Sequence, residues 1–444
     1  MHGRTGILGA ISSLAALAAA AALAAGPAGA AAAVSGTTAA RTTTARTAAA
    51  ARPAAGRPLR GWAATVLAGT ASAARESLTM TPQARAAAAS TNGFSGAGLY
   101  AVSCTGRKQC TATGTASTRT GKNYKPLAER WNGTAWAKQT TPIPTSGSLL
   151  GGSLTGGVSC TSSSACVATG YAYSAKTVRL LGEGWNGRTW SLQPDSTPVT
   201  QGYAYGISCR WAKDCLAVGT RAPGATLAEH WNGRHWSAQT TKHTGLLDGV
   251  SCPATGNCTA VGWNNAGRAL AAHWNGKAWS DESPADPQPV TFLQGLACPA
   301  TTACMAVGAG NTGSSTANDL TPLAEQWTGG VWTALTVPDL GPSGDVVELN
   351  SVSCISATNC MAVGDDENAA STADITLAAQ WNGTAWTSVA TPSPATFSAL
   401  FSVSCSSATF CSAVGASSPT ATGVVSPVAE TWNGSTWSLQ TAAG

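Results

Sequence analysis

Trp131-Asn132-Gly133-Thr134-Ala135-Trp136 decides the fold of this chain, because the pattern is written seven times. Trp-Asn-Gly-x-x-Trp returns from Trp185 to Trp190, Trp231 to Trp236, Trp274 to Trp279, Trp381 to Trp386 and Trp432 to Trp437; from Trp327 to Trp332, Thr328 stands in place of Asn. Upstream of each copy lies a second signature, S-C-x5-C-x-A-V-G, at Cys104/Cys110, Cys160/Cys166, Cys209/Cys215, Cys252/Cys258, Cys298/Cys304, Cys354/Cys360 and Cys405/Cys411. Together they use all 14 cysteines and 14 of the 17 tryptophans. An internal period of roughly 50 residues belongs to arrays and propellers.

Each repeat divides into short extended pieces. Strand a is typified by Leu99 to Cys104, strand b by Cys215 to Gly219, strand c by Leu127 to Trp131 in the pattern L-A-E-x-W, and strand d opens at Trp136. Asn-Gly between c and d signals a hairpin, since both residues tolerate positive φ. A two-residue turn would set Glu129 opposite Trp136; a four-residue loop would set Trp131 opposite Trp136. Either way the tryptophans share a face and pack. Between a and b, the cysteines close a five-residue loop and are expected to bridge paired positions of a hairpin. Seven C-x5-C metal sites are disfavoured, because two thiolates are too few and no histidine recurs beside them.

Four antiparallel strands written seven times predict an all-β fold, a seven-bladed β-propeller with one disulfide per blade. Residue size orders the strands. Three positions before the first cysteine stand Ala101, Gly157, Gly206, Gly249, Gly295, Ser351 and Ser402, and one position before it a serine, or Ala297 in the fifth copy. Such small residues suit the crowded innermost strand. A stacked solenoid would want atypical capping repeats, whereas the first and last copies are complete.

The repeat resembles the kelch family and, more distantly, the Asp-box propellers. As in kelch, strand b ends in glycine (Gly114, Gly170, Gly219, Gly262, Gly308, Gly364, Gly415), and an aromatic at the end of c precedes a turn and a tryptophan opening d. The repeat departs from kelch in having A-V-G for the double glycine, Trp for Tyr, and the cysteine pair. The resemblance implies a propeller scaffold of a kind that serves binding modules and enzymes alike.

Charge excludes one class of partner. Residues 1–97 hold eight arginines and one glutamate, while the repeats hold 17 Lys+Arg against 19 Asp+Glu, so the overall +5 does not describe the folded part. Nothing there forms a nucleic-acid surface. Residues 1–33 read as a secretory signal, with Arg4, a weakly apolar Ile7–Ala25 stretch and small residues from Gly26 to Ala33. Residues 34–97, rich in Ala, Thr and Arg, lack the apolar side chains to offset ordering and read as a disordered linker before the propeller at 98–444. Paired cysteines agree with export to an oxidising compartment. A monomer without cofactor, and without a membrane span once the signal is removed, is expected.

Function is expected where the copies disagree. The a–b and c–d turns leave one face and keep their lengths; the b–c and d–a connections leave the other and vary, and variable loops on a fixed scaffold are where binding is built. Tyr171, Tyr173, Tyr203, Tyr205 and Trp263, with Tyr124, map at or near that face and are candidates to stack on a sugar or grip a peptide. Asp365, Asp366, Glu367 and Asn368, with Asp374, are placed in the b–c loop of blade six, where closely spaced oxygens would suit calcium, though no strict template is met; solvated loop charge is the plainer reading. Glu129, Glu183, Glu229, Glu325 and Glu430 repeat around the ring, as do His230 and His273 in neighbouring blades, so they read as scaffold. No catalytic triad, metal cluster or phosphate loop is written. The chain is thus expected to be a secreted, non-catalytic binding propeller for carbohydrate, cell-envelope material or another extracellular polymer or protein; the alternative is an extracellular hydrolase or lyase on the same scaffold.

Overall fold

The computed structural model describes residues 96–117, 124–144, 149–196, 201–311, 320–341, 346–368, 372–420 and 424–443. The expected signal and most of the linker lie outside these residues. Among them the chain forms 28 strands and no helix. They group as seven four-stranded antiparallel meanders, each ordered a-b-c-d outward, three of them joined by single parallel bridges from strand c of one blade to strand a of the next. Blade one comprises Gly96–Gly106, Gln109–Ser117, Tyr124–Trp131 and Trp136–Gln139. Inner strands a of successive blades touch around the whole ring, and the seventh touches the first. This is a closed seven-bladed propeller.

One transverse row explains the two signatures. Cys104 lies opposite Cys110, Cys110 opposite Trp131, and Trp131 opposite Trp136. All seven expected disulfides form: Cys104–Cys110, Cys160–Cys166, Cys209–Cys215, Cys252–Cys258, Cys298–Cys304, Cys354–Cys360 and Cys405–Cys411, with Cα–Cα separations of 3.9–4.1 Å. The strand-b member of each pair is buried in its blade, from 0% exposed at Cys110 and Cys360 to 5% at Cys258 and Cys304. Each bridge is therefore a core element as well as a crosslink. The tryptophan rings of blade one pack 5.8 Å apart at 44°, and five other blades repeat that tilt closely. The strand-c indole then donates to a carbonyl of the cysteine loop, Trp131 Nε1 to Arg107 O at 3.2 Å and Trp432 Nε1 to Ala408 O at 3.2 Å. Outer hairpin and inner disulfide are thereby tied together.

The c–d turn takes the longer of its two expected forms in six blades. Asn132 Oδ1 accepts the amides of Thr134 and Ala135 at 2.9 Å each, and Gly133 sits at φ 100°, closing a four-residue loop. Blade five, which lacks the Asn, uses the two-residue turn instead: Thr328 pairs with Val331 across Gly329 and Gly330, both at positive φ. Without an Asn side chain to satisfy the loop amides, the tighter turn is the one available.

Serine before the first cysteine is there for a bond as well as for its size. A cysteine pair this close occupies a non-hydrogen-bonded position of the hairpin, so its amides point away from their partner strand. In six of seven interfaces the preceding blade's serine accepts that amide: Ser103 from Cys160, Ser159 from Cys209, Ser208 from Cys252, Ser251 from Cys298, Ser353 from Cys405 and Ser404 from Cys104, at 2.9–3.0 Å. Ala297 has no hydroxyl to offer Cys354. The Ser404 bond closes the ring, with Ser402 accepting from Val102 N at 3.1 Å and Glu129 accepting from Ala443 N at 2.9 Å. Glu325 is held by two backbone amides in the same way, at 2.9 and 3.0 Å.

Candidate functional site

Strand a carries one column that the scaffold leaves free. Four positions before the first cysteine the residues are Tyr100, Gly156, Tyr205, Asp248, Gln294, Asn350 and Phe401, between an apolar or small residue and the small residue already noted. In every blade the a–b register slips at this column, a β-bulge at Leu99/Ala101 in blade one and at its equivalents elsewhere. A bulge inserts a residue that the partner strand does not pair, and re-aims its side chain. Glycine at the end of strand b is the counterpart: a Cβ on Gly114, Gly219 or Gly364 would collide with the carbonyl of Gly98, Tyr203 or Glu348 where strand a presses in. Blade two carries a wider slip, between Ser153 and Gly157.

Because strand a is innermost, the seven bulges ring the central channel at its variable-face end, and their occupants fall into two arcs. Phe401, Tyr100 and Tyr205, from blades seven, one and three, are aromatic; Asp248, Gln294 and Asn350, from blades four, five and six, are polar. Tyr100 stacks on Phe401 with centroids 5.1 Å apart and planes within 5°. Blade two has only Gly156 in the column, and Tyr171 of its second strand lies near enough to act electrostatically on both Tyr100 and Tyr205. On the polar arc, Gln294 Nε2 donates to Glu348 Oε2 at 3.2 Å, and Asn350 Nδ2 donates to Asp365 Oδ1 at 2.7 Å and to Leu400 O at 3.1 Å.

Burial raises the Asp248 carboxyl to about 7, and the Glu348 charge adds to the rise although a whole blade lies between their own two. Burial likewise raises Glu348, with the Gln294 bond opposing, and holds Asp365 and Asp374 well above the usual carboxylate range, each helped by its acidic neighbours. Burial also raises Tyr100, Tyr171, Tyr203 and Tyr205, so these phenols stay neutral.

No protein-family model matches the chain, and no curated protein matches it in sequence. Its likeness to solved structures is one of shape. A GH74 xyloglucanase from Xanthomonas campestris gives a TM-score of 0.49 at 11% identity over 76% of this chain and 55% of that one. YCF48 from Cyanidioschyzon merolae gives 0.43 at 12% over 72% and 94%, and a fucose-binding lectin from Aleuria aurantia, six-bladed, gives 0.39 at 11% over 67% and 96%. The chain spans about half the length of that xyloglucanase and of a GH74 enzyme from Niastella koreensis.

Four of the expected ligand-binding aromatics come together. Tyr171, Tyr173, Tyr203 and Tyr205 pack with Val178, and Tyr124 meets Tyr173 edge-on at 6.5 Å. Their roles differ by depth: Tyr203 is buried at 3% exposed, while Tyr205 and Tyr171 are half-buried beside the channel. Trp263 does not join them. It packs edge-on against Phe292 at 5.2 Å, in the interface between blades four and five. The cysteines stand apart from the column as well. Cys110, Cys166, Cys215, Cys258, Cys304, Cys360 and Cys411 are enclosed in the blade cores, so they offer a ligand no contact and serve the site only by fixing the hairpins that carry it.

The acidic run departs from its expected place. Asp365, Asp366 and Glu367 lie in the second strand of blade six, Asn359–Glu367, and Asp374 opens the third. All four acids are buried, because the strands extend past the inferred loop boundary and pack against the neighbouring blades. Neither a solvated loop nor a calcium loop describes them. Among the described residues no group of three or more carboxylates, histidines or cysteines is arranged to hold a metal ion, and no helix is long and apolar enough to cross a membrane. Among the scaffold candidates, His230 pairs with Asp214 at 2.8 Å. Glu183, Glu229 and Glu430 are wholly buried with no hydrogen-bond partner among the described residues.

Proposed function

We propose that this protein is a secreted, non-catalytic propeller that binds extracellular or cell-envelope carbohydrate at the variable-face mouth of its channel. The observation that carries this reading is the bulge column of strand a, where six of the seven blades carry a side chain and those side chains divide into an aromatic and a polar arc. An aromatic arc facing a carboxamide and carboxylate arc suits a sugar, whose ring face is apolar and whose edge carries hydroxyls. Secretion rests on the leader-like residues 1–33 and seven disulfides. Membership of a kelch-like family is part of the proposal, supported by the strand-b glycine and the aromatics flanking each outer turn.

A glycan and cell-wall binding array with wild type, a Tyr171/Tyr173/Tyr203/Tyr205 alanine variant and a Tyr100→Ala/Tyr205→Ala variant tests it. Loss of a glycan signal in both variants, with melting temperature kept in the second, is the expected result; unchanged binding in both refutes the site. The carboxyls of Asp248 and Glu348, both half-buried on the inner strands of blades four and six, also favour a hydrolase reading, since paired acids do acid and base work. Product release from the same polymers, abolished by Asp248→Asn, would replace the non-catalytic reading.

A further inference from the structure

The charges of the propeller are segregated along the chain, which their near-equal totals hide. Residues 98–277, from the first blade through the outer turn of the fourth, hold 17 Lys+Arg against six Asp+Glu; residues 278–444 hold 13 Asp+Glu and not one Lys or Arg. Seven of the cations stand on the face where the turns keep their lengths. Arg107 and Lys108 lie in the cysteine loop of blade one, Arg188 in the c–d turn of blade two, Arg210, Lys213 and Arg234 in the two turns of blade three, and Lys277 in the c–d turn of blade four. All seven are exposed, and none pairs with a described carboxylate. The same turns carry one acid, Asp214, and His230 holds it at 2.8 Å.

The scaffold does not need these cations, because blades five, six and seven build the same two turns from uncharged residues. The c–d turns pack directly on the cysteine loops: a Cβ on Gly133 would meet Lys108, and one on Gly233 would meet Lys213, so both sets of cations share one surface. Trp211 belongs to that surface as well. Two positions after the first cysteine the other copies have Gly106, Ser162, Ala254, Ala300, Ser356 and Ser407, whereas Trp211 is 57% exposed, with the Arg210 guanidinium 4.6 Å from its ring centre. Beside it a cleft between blades three and four is lined by Arg210, Asp214, His230 and Trp274. Like charges gathered on one surface repel, and an exposed indole among them adds nothing to the core; a partner of opposite charge with an apolar ring face answers both.

We propose that this face binds an acidic polysaccharide, a chain of sugars bearing carboxylates, laid across blades one to four. Arginine forks match a carboxylate with two parallel hydrogen bonds, and Trp211 offers a flat apolar face to a sugar ring. Cations spread over four successive blades suit a chain of repeated charges better than one small anion. The inference takes its extracellular setting from the reading above, but its surface lies at the opposite end of the blades from the channel mouth, so either can fail alone.

Titration calorimetry of the full chain with a galacturonate decamer and with its methyl ester, at low salt and at about 0.15 M salt, tests it. The expected result is at least tenfold tighter binding of the free acid, weaker at the higher salt. That preference should be lost in Arg188→Gln/Arg210→Gln/Arg234→Gln and kept in Lys125→Gln/Lys176→Gln/Lys242→Gln, which removes three exposed cations from the other face, with melting temperatures unchanged in both. Trp211→Ala should weaken binding of both chains by roughly fivefold. Equal binding of acid and ester overturns the inference and leaves the channel site standing, as does a preference that survives the arginine variant or is lost equally in the lysine one. A thymidylate decamer bound as tightly as the acid shows a general polyanion surface and overturns the sugar. No binding of either galacturonate chain overturns the inference; the channel reading falls only if its own glycan array is also blank.

Discussion

Replacing Ser404 by alanine removes the hydroxyl that accepts the Cys104 amide at 2.9 Å and so loosens the interface that closes the ring. Leaving a half-buried amide unpaired costs about 1–3 kcal/mol. An unfolding entropy of about 2.1 cal/mol/K per residue, over about 340 residues, makes each ~1 kcal/mol worth roughly 1.4 °C. Ser404→Ala is therefore expected to lower Tm by roughly 1.5–4 °C. Ser353→Ala, which removes the same bond to Cys405 inside the ring, should do the same. Blade five supplies the converse, because Ala297 faces Cys354 without a hydroxyl: Ala297→Ser should gain about 0.5–1.5 kcal/mol, or roughly 1–2 °C. Differential scanning calorimetry of the three variants reads all of this. A silent Ser404→Ala beside a costly Ser353→Ala would show that blades seven and one do not close as the others do. A destabilising Ala297→Ser would refute the hydrogen-bond account and leave only packing.

Three further outcomes follow from the same structure. Gly364→Ala, which drives a Cβ against the Glu348 carbonyl, should cost about 1–3 kcal/mol in a urea titration, whereas the same change at Gly106, with open space around it, should be nearly neutral. Burial raises Glu183, Glu229 and Glu430 from 4.5 to about 8 in the folded chain, so the stability they carry is complete below about pH 4.5 and declines as pH rises to about 8, by up to about 1.4 kcal/mol per pH unit and group; the Tm of Glu430→Gln should fall less than that of wild type between pH 5 and 8. Thiol titration of the denatured, unreduced protein should find none, and complete reduction should release 14, with Tm falling because each small ring contributes about 2 kcal/mol.

Repetition decides how much of this could be read in advance. Seven copies of the cysteine and tryptophan signatures, at constant spacing, determine strand order, disulfide pairing and blade number, because each blade must solve the same local problem with the same residues. Gly114 and its equivalents, and the serines from Ser103 to Ser404, were visible as constant or small positions, but their reasons lie in other strands: a bulged carbonyl beside the glycine, and a neighbouring blade's amide beside the serine. The candidate site was harder to see. Tyr171 and Tyr205 stood out as off-pattern aromatics, while Asp248, Gln294, Asn350 and Phe401 sit inside strands whose alternation would have turned them toward a sheet face. Only the tertiary structure, by slipping the register at that column and curling the strands into a ring, gathers these residues from different blades at one end of the inner strands. Ring closure itself is likewise decided by contacts some 300 residues apart in the chain, as from Cys104 to Ser404.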